Sequence, residues 1–453
     1  EMQSSNGGFV WFKGGPDDRY ITQHIATGIG QLRHLNAWPA AQKTALQQIA
    51  AKAVSYLDAR LGEDYNLLIG TKADLGKDHL GDIAIQYLYM RSFFTDLPLA
   101  PRWKVAVEFY NNQAKKYWPS KSKYAQGMIA LTLQRAKNAP VAKAILKSLT
   151  ENSLSSPEFG MYWKDFNNGG YYWWQAPIES HALLIAAYTE IEANAERIND
   201  LKTWLLKQKQ TQSWATTRAT AEACYALLLQ GQNWLTEDDK VRITLGRITV
   251  APPTDGTEAG TGYFKQRLSA TDMVPNMGRI TVSTGKGKAK SSPQWGAVYW
   301  QYFDDLDKIT QAASPLLLSK QLFVKTNGSR GPELTPLGPN ARLKVGDKIT
   351  VRMELRSDRN LEYVHLKDMR ASCFEPTNVL SQYKYQNGLG YYEATRDAST
   401  NFFIGYLPRG THVFEYTLVA THRGVFSNGI GSIQCMYAPE FGAHSQGLRV
   451  TVE

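Results

Sequence analysis

Hydrophobic periodicity changes character once along these 453 residues, near Trp234, and that change commits the chain to a helical half followed by a β half. Before it, apolar residues recur at the 3, 4, 3 spacing of one helix face. Leu46, Ile49, Ala50, Ala53, Val54, Leu57 and Leu61 form one such stripe; Leu80 to Leu88, Tyr124 to Leu131, Leu184 to Ile191, Ile198 to Leu205 and Ala221 to Leu228 form others. Pro101, Pro119, Pro140 and Pro177 fall at helix entries or breaks, where a missing N–H and a fixed φ are tolerated. After Trp234 the period becomes two. Val241–Leu245, Arg279–Val282, Ala297–Trp300, Phe402–Leu407, Val413–Val419 and Ile433–Tyr437 are expected strands, as are the residues either side of a Gly346-Asp347 turn. Asn387-Gly388 marks a tight hairpin. A chain of this length exceeds what one core organises, so two or three domains are expected.

The helical half carries a loose repeat. Helices beginning near Tyr20, Leu80, Tyr124, Pro177 and Thr217 are rich in small residues, and a longer amphipathic helix separates each from the next. Inner helices with small residues crowd together while outer helices cover them, the pattern of an α/α toroid. Five pairs are visible where such rings commonly have six, which places the missing pair before Glu1. The chain also opens almost directly on a motif, Gly7-Gly8-Phe9-Val10-Trp11, and is expected to be a fragment with any targeting or anchoring signal upstream. Ser314-Pro315 is the expected border inside the β half, whose last part has the strand density of a sandwich.

Candidate chemistry is sparse. Net charge is +10, but the basic residues are spread along the chain, and the one cluster, Lys286, Lys288 and Lys290, has the spacing of an exposed hairpin. No nucleic-acid signature accompanies it. Three cysteines, Cys224, Cys373 and Cys435, make neither a disulfide framework nor a metal-ligand spacing. Three buried free thiols are expected, with a Cys373–Cys435 bridge as the alternative. The histidines lack metalloprotease spacing; His24 and His181 sit at helical positions that favour packing or capping. No phosphate-binding, dinucleotide or nucleophile-elbow motif occurs, and no metal or cofactor is expected. Asp17-Asp18 precedes a helix and suits capping.

Aromatic residues crowd between Phe159 and Trp174. An exposed set comprising Trp11, Trp163, Tyr172 and Trp173 could stack sugars or prenyl chains; the opposing expectation is that these rings plug space between helices. Glu179 and Glu222 lie on different inner helices. They are either an acid and a base facing one cavity or structural groups near helix starts, where negative charge suits the dipole.

In order and wording these segments resemble the C-terminal portion of an alpha-2-macroglobulin family protein of the bacterial, Bacteroidetes type. Gly7-Gly8-Phe9-Val10-Trp11 with Tyr20-Ile21-Thr22, then Tyr171–Glu179 and Ala219–Ala223, are similar to the thioester-domain toroid. Trp295–Trp300 looks like the return of the CUB-like domain that flanks it. Leu366–Ala371 with Phe374-Glu375-Pro376, Leu407–Gly410, and Met436–Phe441 are similar to the last macroglobulin-like domain. The resemblance implies a multidomain chain, α then β: a thioester-domain-like α/α toroid, incomplete at its N-terminus, over residues 1–236; the returning half of a CUB-like β domain over 237–312; and a C-terminal macroglobulin-like, receptor-binding-type β-sandwich over 313–453.

It also implies a protease-trapping protein of the periplasm or cell envelope rather than an enzyme. Its partners would be target proteases or other proteins, met mainly through upstream regions, with an upstream lipid anchor as an option. The family's thioester requires Cys-Gly-Glu-Gln, which this chain lacks; Cys373-Phe374-Glu375-Pro376 comes nearest and lacks the glutamine. The competing readings are a carbohydrate-active toroid enzyme using Glu179 and Glu222, and a non-inhibitory envelope adhesion or scaffold protein.

Overall fold

The computed structural model describes residues 2–167, 176–211, 213, 214, 216–229, 241–251, 263–283, 296–329, 331–338, 341–386 and 388–453. The chain forms two compact units: Glu1–Leu206 with Trp214–Gln294, and Lys207–Ser213 with Trp295–Glu453. Lys286, Lys288, Lys290 and Asn387 lie outside the described residues.

The first unit opens on a short hairpin, β1 (Phe9–Val10) and β2 (Asp17–Asp18). Helices follow: α1 (Arg19–His34), α2 (Lys43–Gly70), α3 (Asp82–Arg91), α4 (Lys104–Tyr117), α5 (Lys123–Arg135) and α6 (Ala139–Glu151). A second hairpin, β3 (Leu154–Ser156) and β4 (Gly160–Tyr162), precedes α7 (Pro177–Ile191), α8 (Ala195–Thr211) and α9 (Thr217–Leu228). The odd-numbered helices pack in succession, α1 on α3, α3 on α5, α5 on α7 and α7 on α9. The even-numbered α2, α4 and α6 lie against them.

Small residues make that crowding possible. A Cβ added at Gly127 of α5 would sit 2.9 Å from the Leu184 side chain of α7, so the two helices approach as closely as a bare backbone allows. Three of the odd-numbered helices, α1, α5 and α9, have side-chain caps at their entries. Asp18 accepts from Ile21 N at 2.8 Å, Ser122 from Ala125 N at 3.2 Å, and Thr216 from Ala219 N at 2.9 Å. Three strands, β5 (Arg242–Leu245), β6 (Ile248–Val250) and β7 (Ile280–Ser283), form an antiparallel sheet in the order β6-β5-β7. Ala297–Trp300, expected as a strand, is not one: the segment is irregular, and Val298 and Trp300 stay more than half exposed. Without a buried face, alternation has nothing to pack against.

The second unit is a β-sandwich. Its strands are β8 (Leu316–Gly328), β9 (Gly331–Pro336), β10 (Arg342–Leu343), β11 (Lys348–Ser357), β12 (Leu361–Met369), β13 (Phe374–Pro376), β14 (Gln382–Gln386), β15 (Leu389–Arg396), β16 (Ser399–Leu407), β17 (Gly410–Ala420), β18 (Gly424–Asn428), β19 (Gly431–Cys435), β20 (Gly442–His444) and β21 (Leu448–Val452). One sheet runs β13-β17-β11-β8-β9, the other β14-β15-β16-β12-β19-β20, and β10-β21-β18 form a third, smaller set. Gly346 turns with φ +96° between β10 and β11, and Gly388 with φ +81° between β14 and β15, where the sequence places turns.

The sandwich core is mainly apolar and encloses a charged pair. Ile349, Val351, Met353 and Leu355 of β11 meet Leu366, Phe402 and Ile404 of the facing sheet in one cluster. Within it, Lys320 Nζ of β8 lies 2.6 Å from Asp368 Oδ1 of β12, both side chains fully buried, so the ion pair ties one sheet to the other. Lys320 also donates to Met369 O at 2.7 Å and Gly429 O at 2.8 Å, and the Tyr416 hydroxyl donates to Asp368 Oδ2 at 2.5 Å. Each charge of the pair has the opposite charge beside it; removing one partner strands a buried charge. Asp368→Ala is therefore expected to destabilise the sandwich by about 3–5 kcal/mol, whereas Lys320→Met with Asp368→Leu costs far less. Hydrogen exchange of peptides from β8 and β12 reads both, and equal loss of protection in single and double variants contradicts the account.

Candidate functional site

Several inner helices of the first unit bring their first turns together. Tyr20 and Tyr124 are each the second residue of their helices, α1 and α5, and Arg218 is the second of α9. Arg218 Nη1 donates to the Tyr20 hydroxyl at 3.1 Å and Nη2 to the Tyr124 hydroxyl at 2.7 Å, so these three helix starts share one arginine. Glu179, in the first turn of α7, accepts from the capping Thr216 of α9 at 3.2 Å. Glu222, a turn further along α9, accepts from Gln31 Nε2 of α1 at 2.9 Å.

The electrostatics follow from burial. Glu222 has its pKa raised chiefly by burial; Gln31 and Arg218 oppose the rise, and the nearby Glu179 charge adds to it. Burial likewise pushes the Tyr124 hydroxyl well up. Two carboxylates in unlike surroundings beside a guanidinium can donate and accept hydrogen bonds in one small volume. Aromatic rings extend this cluster outward. Trp11, 60% exposed, stacks on Tyr20 at 6.5 Å with planes 22° apart, and Tyr20 stacks on His24 at 6.4 Å and 9°.

The hairpin that presents Trp11 is firmly seated. Gly7 has φ +98°, and a Cβ there would fall 2.2 Å from Lys52 O. Asp17 accepts from Ser4 and Asn6, while Phe9 N donates to Thr22 Oγ1 at 2.8 Å. Of Asp17-Asp18, expected as caps, Asp18 caps α1 and Asp17 ties down the turn.

The opposite helix ends form a second polar cluster. Arg135, last in α5, bonds Glu190 of α7 at 2.6 Å and Ser92 Oγ at 2.9 Å, and His34 at the end of α1 lies 3.6 Å from the same glutamate. The ion pair and hydrogen bonds there hold helix ends together.

The expected aromatic surface is only partly placed. Trp11 is exposed. Trp163 is 0% exposed and donates through Nε1 to Leu149 O at 2.9 Å, among Phe166, His181 and Tyr188, so its ring fills space between helices. Tyr172 and Trp173 lie outside the described residues. His181 is packed as expected, fully buried, 4.3 Å from the Trp204 ring and 2.7 Å from Leu201 O through Nε2. His24 is neither packed nor a cap: its ring is exposed in the stack. All three cysteines are free. Cys373 and Cys435 are buried, and burial pushes the Cys373 thiol up to about 11. Cys224, expected buried, is exposed because its face of α9 has no covering helix among the described residues. No group of three or more metal-binding side chains occurs among the described residues.

Arg218, Tyr20, Tyr124 and Gln31 escaped the sequence reading. The signal was present in the repeat: aligning the starts of α1, α5 and α9 puts Tyr20, Tyr124 and Arg218 at the same helical position.

With fold and site in place, comparison with known proteins assigns the second unit. Residues 316–440 match the family described as the bacterial alpha-2-macroglobulin MG10 domain. That makes the sandwich a domain of the macroglobulin type. Over those residues the chain is similar to the alpha-2-macroglobulin family. Among solved structures it is similar to trypsin-activated alpha-2-macroglobulin of Escherichia coli, with 13% identity and a TM-score of 0.44 over 100% of this chain and 29% of that one. The E. coli protein activated by porcine elastase gives 13%, 0.42, 100% and 37%, and Salmonella alpha-2-macroglobulin reacted with methylamine gives 15%, 0.34, 100% and 27%. The chain thus spans less than two-fifths of the length of these proteins. No curated protein matches the chain.

Two expectations follow for the core beneath the site. Burial lowers the His181 pKa to about 4 from 6.5, against the raising effect of the Leu201 bond. Between those values the unfolded chain takes up a proton and the folded chain does not. Stability is therefore full above pH 6.5 and falls as pH drops toward 4, by about 3 kcal/mol from this group. In His181→Phe that part of the pH dependence disappears; thermal unfolding followed by helical circular dichroism near pH 7 and near pH 4.5 reads it, and parallel losses in both proteins contradict it. Trp163→Ala is expected to cost about 3–5 kcal/mol in the same assay, as for any large buried ring.

Proposed function

We propose that this chain is the C-terminal portion of a bacterial protease-trapping protein of the periplasm or cell envelope. The observation that carries the reading is the MG10 match over residues 316–440. The order of the first unit supports it: α1, α3, α5, α7 and α9 pack in succession with α2, α4 and α6 against them, as in an α/α toroid of the thioester-domain kind. In this reading residues 1–236 are that toroid, 237–312 the returning half of a CUB-like domain built on β5, β6 and β7, and 313–453 the macroglobulin domain. No helix among the described residues is long and apolar enough to cross a membrane.

The trap proposed here is conformational. The residues after the three cysteines are Tyr225, Phe374 and Met436, so no cysteine begins Cys-Gly-Glu-Gln, and this chain supplies no acyl group for covalent capture. Target proteases would be met mainly through segments upstream. The Arg135–Glu190 cluster then serves to hold helix ends of the first unit together, and the protein has no turnover of its own.

Two measurements test this. Intact mass after methylamine treatment should show no stable adduct on this chain; an adduct accompanied by release of one thiol refutes it. The longer protein containing this chain, mixed with trypsin, should protect casein while leaving a small peptide substrate cleavable. Equal protection of both, or of neither, counts against trapping.

A further inference from the structure

We propose that the cluster at the helix starts of the first unit is a saccharide-binding site, with Trp11 as its stacking surface and Glu179, Arg218 and Glu222 as its hydrogen-bonding groups. The inference is independent of the protease-trapping reading, because it rests on the first unit alone.

The first support is Trp11. A large ring 60% exposed, on a hairpin anchored by Asp17, Asp18 and the Phe9–Thr22 bond, cannot swing to hide itself. Stacking on Tyr20 fixes its plane and leaves one flat apolar face to solvent. The axial C–H face of a pyranose matches such a surface, and its hydroxyls remain at the rim.

The second support is the mixture of charges around Arg218, which bonds the hydroxyl of Tyr20, the ring on which Trp11 stacks. An anionic ligand would face Glu179 and Glu222, and a cationic one would face Arg218. A neutral polyol uses both, since its hydroxyls donate to carboxylates and accept from a guanidinium. Among the bonds between described residues, Gln31 engages only Oε2 of Glu222 and Thr216 only Oε1 of Glu179, so each carboxylate keeps an acceptor oxygen. Arg218 is already oriented by the Tyr20 and Tyr124 hydroxyls, so binding requires little ordering of the site.

Titration calorimetry of the full chain with cellohexaose, chitohexaose and maltohexaose tests the site. At least one should bind, Trp11→Ala should weaken that binding about tenfold, and the isosteric Glu222→Gln should weaken it by a similar factor. Phe12→Ala, which removes another exposed ring of the same hairpin, should leave affinity within about twofold. Far-UV circular dichroism unchanged from wild type establishes that the variants are folded. Absence of binding to all three oligosaccharides overturns the proposal. So does binding that Trp11→Ala and Glu222→Gln leave intact, or that Phe12→Ala reduces as much as Trp11→Ala.

Discussion

From Glu179 to Tyr188 helix α7 is buried on every face, and the rest of the first unit is arranged around that constraint. A helix with no solvent side can be apolar along its middle, but its end groups and polar side chains must find partners inside protein. The partners are supplied where helices begin and end. Arg218, Tyr20, Tyr124 and Glu179 settle the starts, and Arg135 with Glu190 settles the ends. Between them lie Leu183 to Ala187, with nothing polar in the side chains. Along α7 an apolar middle thus lies between one polar cluster at the helix starts and another at the helix ends.

The same rule governs the sandwich on a smaller scale. Lys320 and Asp368 are fully buried charged groups, and they hold one another across the two sheets. The segment Leu366–Ala371, similar to the macroglobulin domain, acquires a physical meaning from this. Leu366 and Asp368 point inward, Asp368 to Lys320 and Tyr416, while Arg370 donates to the carbonyls of Arg396 and Asp397. The motif is thus a fastening of three segments, and its charges are structural. What distinguishes the helix-start cluster from these fastenings is access: Trp11 and His24 are open to solvent beside it, whereas Lys320 and Asp368 are sealed.

Much of this was legible beforehand where a local pattern had a single physical solution. The five crowded helices begin at Arg19, Asp82, Lys123, Pro177 and Thr217, within two residues of where small-residue stripes and capping signals placed them. Gly346 and Gly388 turn where glycine was required. Trp163 was harder, since an aromatic-rich segment looks alike whether its rings face solvent or core; only its neighbours Phe166, His181 and Tyr188 settle it. Cys224 failed in the opposite sense. It lies in a helical apolar pattern, but burial needs a covering element, and periodicity says nothing about which face receives one.

Sequence alone therefore determined the two-part character of the chain, its helix and turn positions, the absence of a Cys-Gly-Glu-Gln motif and the resemblance in its last domain, because each is written in spacing or in consecutive residues. The tertiary structure alone decided which distant residues meet. Gln31 with Glu222, Arg218 with Tyr20, and Lys320 with Asp368 are separated by tens to hundreds of residues. Tyr363 is a last instance: its φ of +54° resets the alternation of β12 so that both Leu361 and Val364 face inward. No side chain of that size prefers the left-handed region by itself; the packing on either side of it imposes the conformation.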